Sequence, residues 1–276
     1  MIELPETHVL TSQVNEALAG KTIKDAMANT HPHSFAWYSG DYTTYGAMLA
    51  GQKITQASTE FGSCGTSVEI KCQDMLLSIS TPIKYHKPGE KLPKSHQLLL
   101  EFDDGSHMSC TVQMWGSMLC VPFSQRPEPP QTPCPFTDAF DESYLDGLIG
   151  KESPSLSTKA LLATEQRIPG LGNGVLQDIL FNARIHPKRK LASLSDADKE
   201  RLFHSIKSTL KDMRDKGGRD TEKDLFNQNG GYETILSKNT LIFPCRECGS
   251  QLVRQAYMGG NIYFCSVCQP LGELMK

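Results

Sequence analysis

The first apolar pattern in the chain has a helical period. Leu10, Val14, Ala17 and Leu18 fall on one face. Leu4-Pro5-Glu6 precedes them, with the proline suited to a first-turn position, and Gly20 marks the stop. The period then shortens. Val68, Ile70 and Cys72 alternate with Glu69 and Lys71, and Leu76 to Ile79 follow as a strand-like run. HQLLLEFDDGSHMSCTVQMWG reads as a hairpin turning at Asp104-Gly105. We read residues 1–123 as an antiparallel β-sandwich with a leading helix. SQRPEPPQTPCPFT, with five prolines, predicts a linker over 124–139.

From Phe140 the period is helical again. Leu145, Leu148 and Ile149 form a short stripe, and STKALLATEQ predicts a helix ended by Pro169-Gly170. Asn173-Gly174 opens another, with Val175, Ile179 and Leu180 facing inward and His186-Pro187 closing it. Ser195 and Asp198 have capping-box spacing ahead of Leu202, Phe203, Ile206, Leu210 and Met213, and Gly217-Gly218 ends that stripe. No internal repeat is evident. The pattern predicts an α+β chain of two domains, the second helical over 140–239 and followed by a cysteine-bearing tail over 240–276.

Composition narrows the class. Of the 276 residues, 38% are hydrophobic and 21% charged, enough for packed cores and against general disorder. The chain has no run of about 18 apolar residues, which excludes a membrane-spanning helix. MIELPETHVL has acids and a proline where a secretory signal would be basic and then apolar, so a cytoplasmic protein is expected. The net charge of −3 hides an asymmetry: −8 over residues 1–150 and +5 over 151–276. That sign suits a second half facing a polyanion, and equally a solvated basic face.

Nine cysteines, an odd count, argue against a disulfide framework. Cys72 and Cys110 read as small core residues. Cys245-x-x-Cys248 and Cys265-x-x-Cys268 stand apart, with sixteen residues between the pairs, enough for a hairpin that brings four thiolates around one ion. Four thiolates leave no open position, so the spacing points to one structural Zn2+. Residues 240–276 are too few for an apolar core, and the metal would supply their folding energy. Zinc of this kind does not name a function.

RIPGLGNGVLQDILFNARIHPKRK carries more information. Gly170-Leu171-Gly172 permits a sharp turn and a close backbone approach. Asn173 sets an amide beside helix-start N–H groups, and Lys188, Arg189 and Lys190 follow the helix. A phosphate clamp and a capped helix with a solvated basic end both fit.

This segment resembles the helix–two-turn–helix of the formamidopyrimidine-DNA glycosylase / endonuclease VIII family. The order of features is also similar: ELPE at the start, a β-domain, a linker, a helical domain, GGRDTEKDLF…GGY, then the paired-cysteine finger. The resemblance implies damaged or abasic double-stranded DNA gripped by two domains, with a damaged base flipped out for base-excision repair. It implies no membrane, a monomer and a bacterial cytosolic location. Asn173, with Gly172 in its turn, would hold a phosphate, and Lys159 stands at a lysine directed at DNA. Trp115 in QMWG lies near an aromatic wedge, with Gln113 replacing an arginine; a core tryptophan fits that position equally.

The family's chemistry, glycosylase with AP-lyase activity, is a Schiff base formed by an N-terminal proline after removal of Met1. The following glutamate, here Glu3, assists proton transfer and sugar opening, and Glu6 is retained in ELPE. The sequence departs from the pattern elsewhere. Position 2 is Ile2, His8 replaces an acid, Gly260 stands at the finger-tip arginine, and Gly65 at the β-domain lysine. With bulky Ile2 second, Met1 is expected to stay, displacing the amine by about 3.8 Å. If Met1 were removed, Ile2 would offer a primary amine. Two functions therefore stay open: a glycosylase and lyase working through an N-terminal amine with Glu3, or a catalytically inactive binder of damaged or abasic DNA on the same scaffold. A zinc-ribbon RNA or translation factor is a third, disfavoured by ELPE at the extreme N-terminus.

Overall fold

The structure is a computed structural model that describes residues 1–61, 65–128 and 132–271. Cys64 and positions 129–131 of the expected linker lie outside the described residues. The chain forms two compact units, Met1–Gln131 with Gly217–Gly231 and Thr132–Lys216 with Tyr232–Lys276. The expected helical domain over 140–239 is thus interrupted. Gly217–Gly231 packs with the first unit because Leu225 is fully buried in that unit's core and its carbonyl accepts from Tyr85 N at 2.8 Å.

The first unit begins with α1 (Leu4–Leu18), whose Leu10, Val14 and Leu18 are buried as their spacing predicts. Then come β1 (Ile23–Ala28), β2 (Ala36–Tyr38), α2 (Tyr45–Leu49), β3 (Ile54–Ser58), β4 (Val68–Cys72), β5 (Met75–Ile79), β6 (Ile83–His86), β7 (Leu98–Phe102), β8 (His107–Cys110) and β9 (Gly116–Pro122). Two sheets result, ordered β1-β7-β8-β6 and β2-β9-β5-β4-β3. Val68, Ile70 and Cys72 from one sheet share a core with Leu98, Leu100 and Phe102 from the other, the inward half of each alternation. Each such aliphatic side chain contributes about 1.5–3 kcal/mol by leaving water. The expected hairpin ends at Cys110: β7 pairs with β8, while β9 crosses to the second sheet. Its edge partner β2 runs parallel to it, the exception to an otherwise antiparallel sandwich.

The second unit holds α3 (Glu142–Lys151), α4 (Thr158–Ala163), α5 (Val175–Asn182), α6 (Asp196–Asp215), β10 (Val253–Tyr257) and β11 (Gly260–Phe264). Asp141 caps α3, Ser157 caps α4, and Ser195 with Asp198 closes the capping box of α6. The helix expected over STKALLATEQ stops at Ala163. Glu165 and Gln166 take positive φ of 57° and 49°, and the Arg167 guanidinium donates to the Ala160 and Thr164 carbonyls at the helix end. No helix among the described residues is long and apolar enough to cross a membrane.

Candidate functional site

Two constellations carry chemistry, one in each unit. In the first unit the chain start is anchored at three points. Ile2 is only 6% exposed, lies in the sandwich core, and donates its N–H to the Ser80 carbonyl at 3.0 Å. The Met1 amine donates to the Trp115 carbonyl at 2.9 Å. Burial pulls that amine's pKa below its usual 8.0, although Glu3 and Glu222 oppose the shift.

Glu3 sits at the N-cap of α1 yet makes no side-chain capping bond. The carboxylate lies 3.4 Å from Arg219. Arg219 is buried, 3% exposed, and holds Glu6 in a fork, Nε on Oε1 at 2.9 Å and Nη2 on Oε2 at 2.8 Å; its backbone N–H also donates to Oε1 at 3.1 Å. Glu222 stands 4.0 Å from the same guanidinium. The nearby carboxylates hold Arg219 firmly protonated against its burial, while burial, reinforced by Glu6 and Glu3, pushes the Glu222 carboxyl up.

Glycine makes this approach possible. Gly218 has φ of +95°, and a Cβ on Gly230 would come within 2.1 Å of the Gly218 carbonyl oxygen. The paired glycines of GGRDTEKDLF…GGY thus close a loop that delivers Arg219 to the ELPE glutamates. Sequence reasoning missed Arg219 altogether, and the unexplained Glu6 was its one signal. Gly65, at the expected lysine position, takes φ of +82° and donates to the Thr59 carbonyl at 2.9 Å. It brings no charge to the site.

Trp115 is not a core residue. It is 40% exposed and meets Trp37 edge-on at 6.0 Å between ring centroids.

In the second unit, residues flagged separately in the sequence converge. Asn173 Nδ2 donates to the Asn261 carbonyl at 2.9 Å, and Lys159 Nζ donates to the Tyr257 carbonyl. Both carbonyls belong to the finger hairpin β10–β11. A Cβ on Gly260 would lie 3.5 Å from Asn173 Oδ1 and from Lys159 Nζ, so bare backbone occupies the expected arginine position. Lys159 is only 3% exposed, and burial lowers its pKa. Gly172 precedes Asn173 and accepts from Leu176 N at 3.3 Å, opening α5.

Gln177, missed in the sequence, joins the two parts. Its Nε2 donates to Asn173 O at 2.9 Å and Asn261 O at 3.2 Å, and its Oε1 accepts from Tyr263 N at 3.0 Å. Below this seam the sulfurs of Cys245, Cys248, Cys265 and Cys268 all lie within 4.8 Å of one another, a ligand set for one metal ion.

The sequence profile of the formamidopyrimidine-DNA glycosylase H2TH domain matches residues 132–223. Over 278 residues the chain is 25% identical to a formamidopyrimidine-DNA glycosylase of Bacillus cereus, covering 98% of this chain and 99% of the relative. It is 27% identical over 292 residues to that of Rippkaea orientalis, covering 98% and 100%. Among solved structures, Lactococcus lactis Fpg in complex with abasic-site DNA superposes with a TM-score of 0.81 at 21% identity, covering 97% of this chain and 99% of that one. MutM (Fpg) from Thermus thermophilus gives a TM-score of 0.77 at 19% identity, covering 98% and 100%. Both share the two-domain α+β fold.

Proposed function

The chain belongs to the formamidopyrimidine-DNA glycosylase / endonuclease VIII family, and from that premise we propose that it is a base-excision-repair DNA glycosylase with AP-lyase activity, its nucleophile the α-amine of Met1. The observation that carries the choice of atom is the anchoring of that amine on the Trp115 carbonyl, with its pKa lowered by burial. Ile2 is the weaker candidate: its nitrogen is committed to Ser80 and its side chain to the core.

In this reading the neutral amine gives its lone pair to C1′ of the damaged nucleotide. The base leaves with the electrons of the glycosidic bond and takes up a proton. Glu3 protonates the ring oxygen as the sugar opens, the amine nitrogen loses a proton, and a Schiff base forms. Loss of a C2′ proton then expels the 3′ phosphate. Glu6 and Arg219 act as positioning residues that fix Glu3 at the start of α1. Asn173 and Lys159 hold the DNA backbone from the finger seam.

The four thiols take zinc in a structural role. A tetrahedron with bonds of about 2.3 Å has sulfur–sulfur edges of about 3.8 Å, and the pairs Cys245–Cys268 and Cys248–Cys265 stand at 3.8 and 3.5 Å. The reading also carries a bacterial cytosolic location and action as a monomer.

Borohydride trapping on abasic-site duplex, followed by mass analysis of the N-terminal peptide, tests it. The expected product is a covalent adduct on a peptide beginning at Met1. Tight binding with no adduct would instead make the chain a non-cutting binder, the alternative favoured by the amide-bonded nitrogen at Ile2.

A further inference from the structure

The first unit presents exposed aromatic side chains that the proposed chemistry does not use. Phe35 is 56% exposed, Trp37 48% and Met114 72%, beside Trp115. The rings form a ladder: His33 to Phe35 at 6.3 Å, Phe35 to Trp37 at 6.4 Å and Trp37 to Trp115 at 6.0 Å, with interplanar angles of 59°, 50° and 74°. None is stacked face to face. The ladder is built on the edge strand β2, held parallel to β9 by Gly116 N donating to Phe35 O at 3.0 Å.

Two residues before Trp115, Gln113 lines a cavity of about 410 Å3 with Lys84, Lys91, Lys94 and Lys223. Lys84 pairs with Glu90 at 3.1 Å, whereas Lys91, Lys94 and Lys223 enter no ion pair among the described residues. The acid in the wall, Asp224, is engaged by Gln13 Nε2 at 2.9 Å and by the backbone N–H groups of Phe226 and Gln228 at 2.9 and 2.7 Å. His86 in the same wall is 1% exposed, and its Nδ1 stands 3.7 Å from Glu90 Oε1.

We propose that the ladder and the lysine-lined cavity, joined through Gln113–Trp115, form a binding track for an unpaired stretch of DNA strand, with bases on the rings and phosphates at the lysines. The proposal rests on DNA being the ligand, as argued above, and specifies the form of it. A strand with exposed bases is the partner that offers π-faces and regular negative charge together. A duplex keeps its faces inside the stack. The ring spacing also exceeds the rise of about 3.4 Å between stacked bases, which suits bases drawn apart. An apolar partner surface would bury the rings but leave the lysines unmatched, and a lipid headgroup layer offers phosphates without flat aromatic faces. The track is continuous with the reaction site, because the Trp115 carbonyl receives the Met1 amine.

The chain has two tryptophans, Trp37 and Trp115, and both stand in the ladder, so tryptophan fluorescence reads the ladder, and Trp37→Ala separates its signal from that of Trp115 beside the Met1 amine. The full chain is titrated with single-stranded oligodeoxythymidylate and, separately, with a duplex carrying an abasic-site analogue. Binding of the single strand should quench the fluorescence. Phe35→Ala and Trp37→Ala should each weaken it by about 5- to 160-fold, with duplex affinity unchanged. Lys91→Gln with Lys94→Gln should lower the slope of log affinity against log salt by about 1.4 for the single strand. All four positions are at the surface, so thermal melting checks that each variant folds. Duplex binding with no quenching by the single strand, or quenching untouched by the variants, overturns the track and leaves the proposed function standing. Failure to bind either DNA overturns both.

Discussion

Replacing Arg219 with glutamine keeps a polar but shorter and uncharged side chain, and leaves Glu3, Glu6 and Glu222 grouped without the guanidinium between them. Arg219 is 3% exposed and Glu6 5%, so neither charge has bulk water as an alternative partner. Breaking a buried pair by removing one partner typically costs about 3–5 kcal/mol, most of it the stranded charge. The fork to Glu6 at 2.8 and 2.9 Å and the contact with Glu3 at 3.4 Å put Arg219→Gln in that range. At about 2–4 °C per kcal/mol for a body of this size, the first unit should melt roughly 6–20 °C lower. Arg219→Lys should recover only part of this, since an ammonium cannot match the fork. Glu6→Gln alone should cost less, because Arg219 keeps Glu3. The double variant Glu6→Gln/Arg219→Gln should melt above the sum of the two losses, with a coupling of about 0.5–3 kcal/mol. Urea denaturation of the four proteins closes the cycle. Additivity within about 0.5 kcal/mol, or an Arg219→Gln loss below about 1 kcal/mol, would refute the idea that this arginine holds the ELPE glutamates in place.

Other consequences can be measured directly. Because burial lowers the Met1 amine below its usual 8.0, a larger neutral fraction stands at any given pH than for an exposed chain terminus. Borohydride trapping should therefore rise with pH to a half-maximum below pH 8, and a half-maximum above 8 would contradict the assignment. Extra residues ahead of Met1 should abolish trapping while abasic-site binding, followed by fluorescence anisotropy, persists. Chelation should release one zinc per chain and unfold the finger, seen as faster hydrogen exchange over 253–264; an unchanged exchange pattern would deny the metal its structural role. Gln177→Leu leaves the Tyr263 N–H without its partner and takes one donor from each of the Asn173 and Asn261 carbonyls, the latter still bonded by Asn173 Nδ2. It should destabilise the finger seam by about 1–3 kcal/mol and weaken abasic-DNA binding, as Asn173→Ala should, with little dependence on sequence.

The parts legible in the sequence were those with local causes. The face of α1 followed from Leu10, Val14 and Leu18, the α6 start from Ser195 and Asp198, and the metal cluster from two C-x-x-C pairs. Each is fixed by spacing along one element or across one hairpin. The strand β2 was invisible because Ala36–Tyr38 is too short for an alternation, and its parallel partner lies some eighty residues away at β9. Arg219 was invisible for the same kind of reason: nothing within its own segment asks for a buried guanidinium, and its need arises only when the glycine pairs fold it onto Glu6, 213 positions earlier.

Gly260 is the most instructive residue. Read by position it is a missing arginine and a defect. In the structure its backbone lies against Asn173 and Lys159, and the Lys159 Nζ donates a hydrogen bond to the Tyr257 carbonyl. An amide and a hairpin carbonyl thus meet where a guanidinium was expected, so less positive charge is available there for a phosphate. Lys91 and Lys94, which enter no ion pair among the described residues, stand in the acidic half, along the wall shared with Gln113. The charge arithmetic of the two halves, −8 and +5, could not reveal this. Net charge sums side chains that neutralise one another, whereas a phosphate responds to the cations left unpaired. The half with the acidic balance can therefore still hold DNA, and salt dependence measured separately on Lys91, Lys94 and Asn173 variants would assign the contacts to each unit.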